Sequence, residues 1–137
     1  MDQTAQRAHL DEARVARLAT VDAQGNPHVV PITFAVDGDT IYFAVDAKPK
    51  RSTDLKRVRN IATHPGVSLL VDHYDDDWNR LWWVRVDGSA RVVDSTRALE
   101  LLERKYPQYR TARPPGPVVA ISIQRMTGWA ANENPAC

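Results

Sequence analysis

The sequence is poor in cysteine, and this scarcity limits both its covalent and its metal chemistry. Its single cysteine is Cys137, the last of 137 residues. One cysteine cannot form an internal disulfide, and no cysteine or histidine pattern has the spacing of a metal site. We therefore expect a chain that binds no metal, works in a reducing, cytoplasmic setting, and folds as one domain whose core needs no covalent staple.

Long apolar runs and a charge of one sign are also missing. No apolar stretch approaches the ~18 residues that a transmembrane helix needs. The polar N-terminal segment lacks the apolar stretch of a signal peptide. Lysine plus arginine number 18 and aspartate plus glutamate 17, for a net charge of +1. These features predict neither a membrane nor a nucleic-acid partner.

Several common catalytic patterns are absent as well. The sequence contains no G-x-S-x-G, H-E-x-x-H, P-loop or G-x-G-x-x-G segment. Those patterns place nucleophiles, metal ligands and dinucleotide phosphates, so hydrolase triads, zinc proteases and dinucleotide-binding folds have no motif support. The residues alone identify no catalytic side chain.

What is present is strand-like alternation broken by turn residues, with three short helices. Pro31 predicts that its strand lies at an edge or contains a bulge, because proline donates no hydrogen bond to a sheet. Asp87-Gly88 predicts a hairpin turn. Hairpins join antiparallel strands, so we expect a mostly β (α+β) barrel of about six to seven mainly antiparallel strands. Helices are expected at 4–14, at Ser52–Thr63, and from a cap at Ser95 or Thr96 through Lys105. Strands are expected at 15–21, 28–36, 40–45, 67–74, 81–86, 89–94 and 118–124, with a short piece through 129.

A basic segment lies where a strand is expected to give way to the second helix. Six cations fall between Lys48 and Arg59, and Asp54 is the only acid among them. The N-terminus of a helix has unpaired N–H groups and a positive dipole, so this segment is a candidate phosphate site. Ser52, a plausible N-cap, and Thr53 would add hydroxyl donors. A solvated basic helix face is the alternative that the residues leave open.

A second candidate is the strand segment from His28 to Pro31. An edge strand interrupted by proline leaves backbone N–H and C=O groups free, and these could bind a planar heterocycle. The alternative is an ordinary edge strand in which Val29 and Val30 pack. His28 has no acid or nucleophile partner in the sequence that would make it a catalytic base.

Three further groups are open to more than one interpretation. The tryptophans 78, 82 and 83 could stack on a cofactor, fill the core or form a subunit interface, with Trp82 and Trp83 facing opposite sides of a strand. The acids and histidine of segment 72–77 match no EF-hand pattern and predict a solvated loop. Arg110 and Arg113 could reach the anionic tail of a ligand or anchor a surface loop.

An ordered series of short segments resembles the pyridoxamine-phosphate-oxidase-like, split β-barrel superfamily. The series covers nearly the whole chain, although no single segment is diagnostic. It is most similar to the deazaflavin-dependent branch, and the PHVVP and YRTARP segments also resemble short biliverdin-reductase-like members. The segments are LATV at 18–21, GNPHVVP at 25–31, GDTIYF at 38–43, 48–53, L-x-x-V-x-N-I at 55–61, PGVSLLV at 65–71 and VDGSA at 86–90.

This resemblance implies a split β-barrel homodimer with cofactor sites between subunits. The implied cofactor is coenzyme F420, with FMN as the alternative, and the implied reaction is hydride transfer to a conjugated small organic substrate. A non-enzymatic carrier of a flavin, a deazaflavin or a haem-like molecule is a third reading. The implied cofactor-binding residues are His28, Val29, Val30, Pro31, Thr33, Lys48, Lys50, Arg51, Ser52, Thr53 and Trp129.

The sequence departs from true pyridoxamine-phosphate oxidases at its C-terminal end. It is shorter, and their substrate-binding arginine and histidine have no clear counterparts here. We therefore do not expect it to synthesise pyridoxal phosphate.

Overall fold

The structure, a computed structural model, describes residues 1–45, 52–114 and 117–132, with the side chains of 52–55 outside the description. Seven strands and four α-helices make up this part of the chain. A single 3₁₀ turn, Trp78–Arg80, precedes the sixth strand. The elements are α1 Gln3–Glu12, β1 Ala16–Val21, β2 Pro27–Ile32, β3 Ala35–Asp37, β4 Thr40–Ala44, α2 Ser52–Thr63, β5 Gly66–His73, β6 Trp82–Val93, α3 Thr96–Lys105, α4 Gln108–Thr111 and β7 Val118–Ala130.

All seven strands form one sheet in which every paired neighbour is antiparallel. Its order is β2-β1-β5-β6-β7-β4-β3. The two end strands of this order, β2 and β3, follow each other in the chain and are joined only by Thr33 and Phe34. Such a link reaches about 11 Å at most. The sheet must therefore curl until its ends meet, which confirms the split-barrel prediction.

The barrel interior is filled by alternate residues of the strands. In β6 the even-numbered positions 84, 86, 88 and 90 are buried, and the residues between them face outward or are only partly covered. The largest fully buried side chains are Phe34, Phe43, Leu10, Leu18, Ile41, Leu69, Leu102 and Ile121. Burial of this apolar surface is the main force that holds the barrel together.

Three of the helices cover the barrel and are fixed by specific contacts. Asp2 caps α1 by accepting a hydrogen bond from the N–H of Ala5, and Ser95 caps α3 by accepting one from Ala98. Ser95, rather than Thr96, is therefore the N-cap of α3. The α2 helix is joined to β1 by a buried 3.1 Å hydrogen bond from Asn60 Nδ2 to Thr20 Oγ1.

The predicted hairpin at Asp87-Gly88 is wrong. Strand β6 runs straight through these two residues, and the neighbouring β7 accommodates one extra residue beside them. A Cβ atom at Gly88 would lie 2.4 Å from the carbonyl oxygen of Ser122. The glycine therefore permits a close approach of two strands instead of a turn.

Other predicted boundaries also need correction. The predicted strand 28–36 is two strands, because the chain leaves the ladder at Thr33 and Phe34. The last strand does not end near 124 but continues to Ala130. The count of three helices omitted α4, a single turn that begins after Pro107. The opening helix ends at Glu12, two residues earlier than predicted.

Candidate functional site

Strand β2 lies at one end of the sheet order, as Pro31 predicted. His28, Val30 and Ile32 point toward the barrel interior, whereas Val29 is 61% exposed. Val30 packs against the core and Val29 does not. Among the described strands, β2 is paired with β1 alone, so the backbone groups on its other edge have no strand partner there.

His28 carries a polar atom that the fold leaves without a partner. Its Nδ1 is buried and has no hydrogen bond among the described residues. A buried nitrogen without a partner costs free energy, so such atoms are expected where a ligand or a water molecule binds. The atom lies on the strand that the sequence marked as the ring site.

A shallow depression of about 330 Å³ adjoins the start of β2. Its polar rim is organised by Asp87, whose carboxylate accepts a 2.6 Å hydrogen bond from Ser68 Oγ and lies 3.3 Å from Arg85 Nε. The depression therefore contains a carboxylate, of Asp87, and a hydroxyl, of Ser68, whose positions are fixed by their mutual hydrogen bond. Its lining residues are Ala19, Thr20, Val21, Pro27, Gly66, Val67, Ser68, Asp87, Gly88 and Gln124.

The predicted phosphate residues are only partly within the described chain. Helix α2 begins at Ser52, as predicted. Lys48, Lys50 and Arg51 lie outside the described residues, as do the side chains of Ser52 and Thr53. Further along α2, Lys56 Nζ lies 3.7 Å from the Asp22 carboxylate, so this cation is partly neutralised by an acid at the end of β1.

Asp22 itself is held by the turn that joins β1 to β2. Its carboxylate accepts hydrogen bonds from the backbone N–H groups of Asn26 and Gln24, each at 2.9 Å. The bond from Asn26 is the main reason that the pKa of Asp22 lies below its ordinary value. The turn thus presents a charged carboxylate toward α2, close to the start of the candidate ring strand.

Thr33, another predicted cofactor contact, lies just beyond β2 in the link to β3. Its Oγ1 is 2.8 Å from the hydroxyl of Tyr109 on α4. In the next residue, the N–H of Phe34 donates to the hydroxyl of Tyr106. Two tyrosines therefore fix the link, and sequence reasoning missed Tyr106. No local signal could have found it, because its partner Phe34 is 72 residues away.

Arg110 and Arg113 anchor the segment that contains α4. Arg110 donates through Nε and Nη2 to the carbonyl oxygens of Glu103 and Arg104. Arg113 forms an ion pair and hydrogen bond with the Glu103 carboxylate, which lowers the pKa of that carboxyl. The side chains of both arginines thus bind to residues of α3, in agreement with the loop-anchoring alternative.

The tryptophans divide between two environments. Trp82 packs against the core and stacks on His9 of α1, with ring centroids 3.8 Å apart. Trp83 faces the other side of the sheet, where it is the cross-strand partner of Trp129. Trp78 is 67% exposed.

Trp129 lies near the end of β7, which is not a neighbour of β2 in the sheet. Strands β1, β5 and β6 lie between the two in the sheet order on one side, and β4 and β3 lie between them on the other. The cross-strand partner of Trp129 is Trp83 of β6 rather than a residue of β2.

Carboxylates of the acidic loop after β5 form hydrogen bonds and ion pairs with nearby residues of the same segment. Asp75 accepts from the N–H of Asp77 and lies 3.4 Å from Arg80 and 3.7 Å from His73. Asp77 caps the following 3₁₀ turn. Across residues 1–45, 52–114 and 117–132, no group of three or more histidine, cysteine, aspartate or glutamate side chains is placed to hold a metal.

Comparison with known proteins identifies the family. The family model for pyridoxamine 5'-phosphate oxidase matches residues 3–130. The chain belongs to the pyridoxamine 5'-phosphate oxidase family. One relative in this family's deazaflavin-dependent branch is the F420H2-dependent biliverdin reductase of Mycobacterium tuberculosis. It is 32% identical over 127 residues, which cover 90% of this chain and 85% of the relative.

Solved structures of low identity share the family fold. A conserved hypothetical protein from Mycobacterium tuberculosis has a TM-score of 0.73 at 21% identity, covering 96% of this chain and 86% of that one. An FAD-binding protein from Mesorhizobium loti has a TM-score of 0.68, also at 21% identity, covering 93% and 94%. These likenesses support the split-barrel architecture. Among the described helices, none has both the length and the apolar character needed to span a bilayer.

Proposed function

We propose that this protein is an F420-dependent oxidoreductase that transfers a hydride between the deazaflavin and a conjugated small organic substrate. The 32% identity to an F420H2-dependent biliverdin reductase supports the choice of deazaflavin. The single structural observation that carries the proposal is the open edge of β2, with a buried and unpartnered His28 Nδ1 on the same strand.

The edge of β2 suits a flat heterocycle because of its proline spacing. Proline is tolerated in a strand where its nitrogen faces away from the ladder. Pro27, Val29 and Pro31 are alternate residues of β2, so their backbone nitrogens face the same edge of the strand. Val29 is therefore the residue whose backbone N–H is expected to face the open side. Its backbone would bind the polar edge of the ring, while the exposed side chains of Val29 and Pro31 offer apolar contact.

The phosphate of the cofactor is assigned to the segment before α2. Lys48, Lys50 and Arg51 supply positive charge, and the first N–H groups of a twelve-residue helix supply hydrogen-bond donors. Ser52 and Thr53 would add hydroxyl groups. Two of the cations later in α2 are less suited to this task, because Lys56 lies beside Asp22 and Arg59 is exposed farther along the helix.

The bound deazaflavin would supply the hydride chemistry itself. The task of the protein is then to bind, orient and shield the ring, which agrees with a sequence without a nucleophile motif. Thr33 is assigned to the edge of this site, where Tyr109 fixes its hydroxyl at 2.8 Å.

The proposal also includes a homodimer that works in the cytoplasm. The exposed face of β2, β1 and β5 carries Val29, Ala19 and Leu70, which offer apolar contact area for a second copy. In such a dimer Trp129 of one protomer could reach the ring site of its partner. A reducing compartment suits a chain whose only cysteine is Cys137.

The test is a pair of fluorescence titrations of the purified protein, one with F420 and one with FMN. We expect tight binding of F420 and weak binding of FMN. Replacing Lys50 and Arg51 together by alanine should weaken F420 binding roughly 100-fold or more, because each of the two charge-assisted hydrogen bonds contributes about 1.5–3 kcal/mol. Arg59→Ala is the matched control, since it removes an exposed cation from the same helix.

The other outcomes of these titrations would each support a different function for the protein. Tighter binding of FMN would move the protein to the flavin-dependent alternative. Binding of neither cofactor would mean that the basic segment is only a solvated helix start and not a phosphate site. Stoichiometric F420 binding without oxidation of F420H2, in the presence of biliverdin and a broad panel of conjugated compounds, would favour a carrier.

A further inference from the structure

A buried polar contact joins helix α2 to the sheet beside the candidate ring strand. Asn60 of α2 is 4% exposed and Thr20 of β1 is 1% exposed. Asn60 Nδ2 donates a 3.1 Å hydrogen bond to Thr20 Oγ1. Burying a polar group costs free energy unless the group is hydrogen-bonded, and here each side chain supplies the partner of the other. The bond is therefore a specific attachment of the helix to the sheet.

The attachment lies between the two sites that the proposed function assigns to the cofactor. Thr20 is directly opposite His28 in the ladder between β1 and β2. Side chains of such cross-strand pairs share a face of the sheet, with Cβ atoms about 5 Å apart. Asn60 is therefore linked through a single residue to the proposed ring strand. At its other end the same helix begins at Ser52, where the phosphate is assigned.

The other contacts of α2 constrain its direction less than this bond does. Ile61 packs into the barrel core, but apolar attraction has no preferred direction, whereas a hydrogen bond does. The ion pair of Lys56 with Asp22 is partly exposed, and such pairs stabilise little. Ser52 is eight residues before Asn60, about 12 Å along the axis, so a tilt of about 10° at Asn60 would move the helix start by roughly 2 Å.

We propose that Asn60 and Thr20 are positioning residues that set the distance between the phosphate site at the start of α2 and the ring site on β2. This role rests on the proposed function, which assigns those two sites. A ligand whose ring and phosphate are covalently joined gains affinity from both sites only where their separation matches its own. The hydrogen bond therefore selects ligands by the span from ring to phosphate, and neither residue needs to contact the ligand.

The test compares two ligands: F420, and the same deazaflavin ring with its ribityl chain but no phosphate. The fluorescence of each ligand reports its binding. We expect Asn60→Leu and Thr20→Val each to weaken F420 binding roughly tenfold and to leave the affinity of the phosphate-free ring within about twofold, because a misplaced helix start removes only the gain from joining the two sites. A purely structural role would change both affinities in parallel.

Three control variants separate positioning from stability. Thr20→Ser keeps the hydroxyl group and should keep the parent's ratio of the two affinities. Ser95→Ala should also keep it, because it removes a hydrogen bond of similar kind from α3 instead of α2. The double variant Asn60→Leu/Thr20→Val leaves neither polar group without its partner, so its urea midpoint should exceed that of either single variant while its F420 affinity stays low. This double variant keeps the test decisive where a single variant fails to fold.

Two kinds of failure can be told apart. An unchanged affinity ratio in the folded variants, the double variant included, would overturn the positioning role, and so would a parallel loss for both ligands. A parent that binds the two ligands equally, or binds neither, would contradict the phosphate site of the proposed function and the positioning role with it. The first failure is seen only in the variants, and the second is already seen in the parent.

Discussion

Lys105, at the end of α3, has an amine that the fold keeps from water. Its Nζ is buried without a hydrogen-bond partner among the described residues and lies 4.0 Å from the centre of the Phe34 ring. Burial, together with the nearby Arg14 guanidinium, lowers the pKa of Lys105 to about 8. Burial also raises the pKa of the neighbouring Tyr106. The site therefore disfavours the charged form of each side chain.

This pKa gives the folding free energy a dependence on pH. Between about pH 8 and the ordinary lysine value of 10.5 the unfolded chain binds the proton and the folded chain releases it. Stability should therefore rise with pH in that window, while below about pH 8 the folded state carries the full cost of a buried ammonium. Contact with the Phe34 ring and solvent screening offset part of this cost.

We expect Lys105→Met to stabilise the protein by about 1 kcal/mol at pH 7 and to remove the rise in stability between pH 8 and 9.5. Urea unfolding at several pH values measures both effects, below the range where tyrosines titrate. Lys56→Met is the control, since Lys56 is partly exposed beside Asp22. A Lys105→Met variant with the same pH slope as the parent would show that the amine is solvated in the folded protein.

The long strands β6 and β7 form a twelve- and a thirteen-residue pair that runs across the whole barrel. Their register shifts between Asp87 and Gly88, where β7 holds one extra residue. The sequence predicted a turn there because Asp-Gly is a strong hairpin signal. The signal was misread because glycine has a second use, which is to let another backbone come close. That use depends on Ser122, a partner in a distant part of the sequence.

Gly88→Ala tests this close contact. The added methyl group would lie 2.4 Å from a backbone oxygen that cannot move aside without shifting β7. We expect a loss of about 2 kcal/mol, within the usual range for overpacking, measured as a lower urea midpoint. Gly66→Ala, where nothing lies within 4 Å of the new methyl group, is the control. Equal midpoints for the two variants would mean that the strands are farther apart than this geometry indicates.

Elements with strong local signals were predicted well. Helix α2 has its predicted bounds, and α3 follows a serine cap. The edge position of β2 followed from Pro31, because proline removes a donor wherever it occurs. The roles of Arg110 and Arg113 could not be chosen from sequence, because they depend on how α4 lies against the end of α3.

At the scale of the whole molecule, the order of the strands was the part that sequence could not supply. Strand β1 lies between β2 and β5, and β7 lies between β6 and β4, so two of the six strand pairings join strands that are not consecutive in the chain. Alternation tells which residues face inward but not which strand is next to which. The position of Trp83 opposite Trp129 depends on this order, since the two residues meet only because β6 pairs with β7.

The same topology leaves Val29 61% exposed on the outer face, where a homodimer is proposed. We expect sedimentation velocity to give about twice the 15.4 kDa chain mass for the parent and a shift toward monomer for Val29→Asp, because a charge buried at an interface is costly. Val92→Asp is the control, because Val92 is also an exposed valine in a strand but lies on β6 instead of β2. A monomeric parent would contradict the proposed dimer and the sites shared between subunits.

The two-residue link between β2 and β3 has a consequence for how the barrel can open. These end strands share no ladder, so they can separate while every strand-to-strand hydrogen bond of the sheet stays intact. That movement is resisted by the hydrogen bonds of Thr33 and Phe34 with Tyr109 and Tyr106, and by the burial of Phe34 in the core. The seam is therefore a part of the barrel wall that no backbone ladder closes, and a ring bound along β2 would occupy the place of a paired strand there.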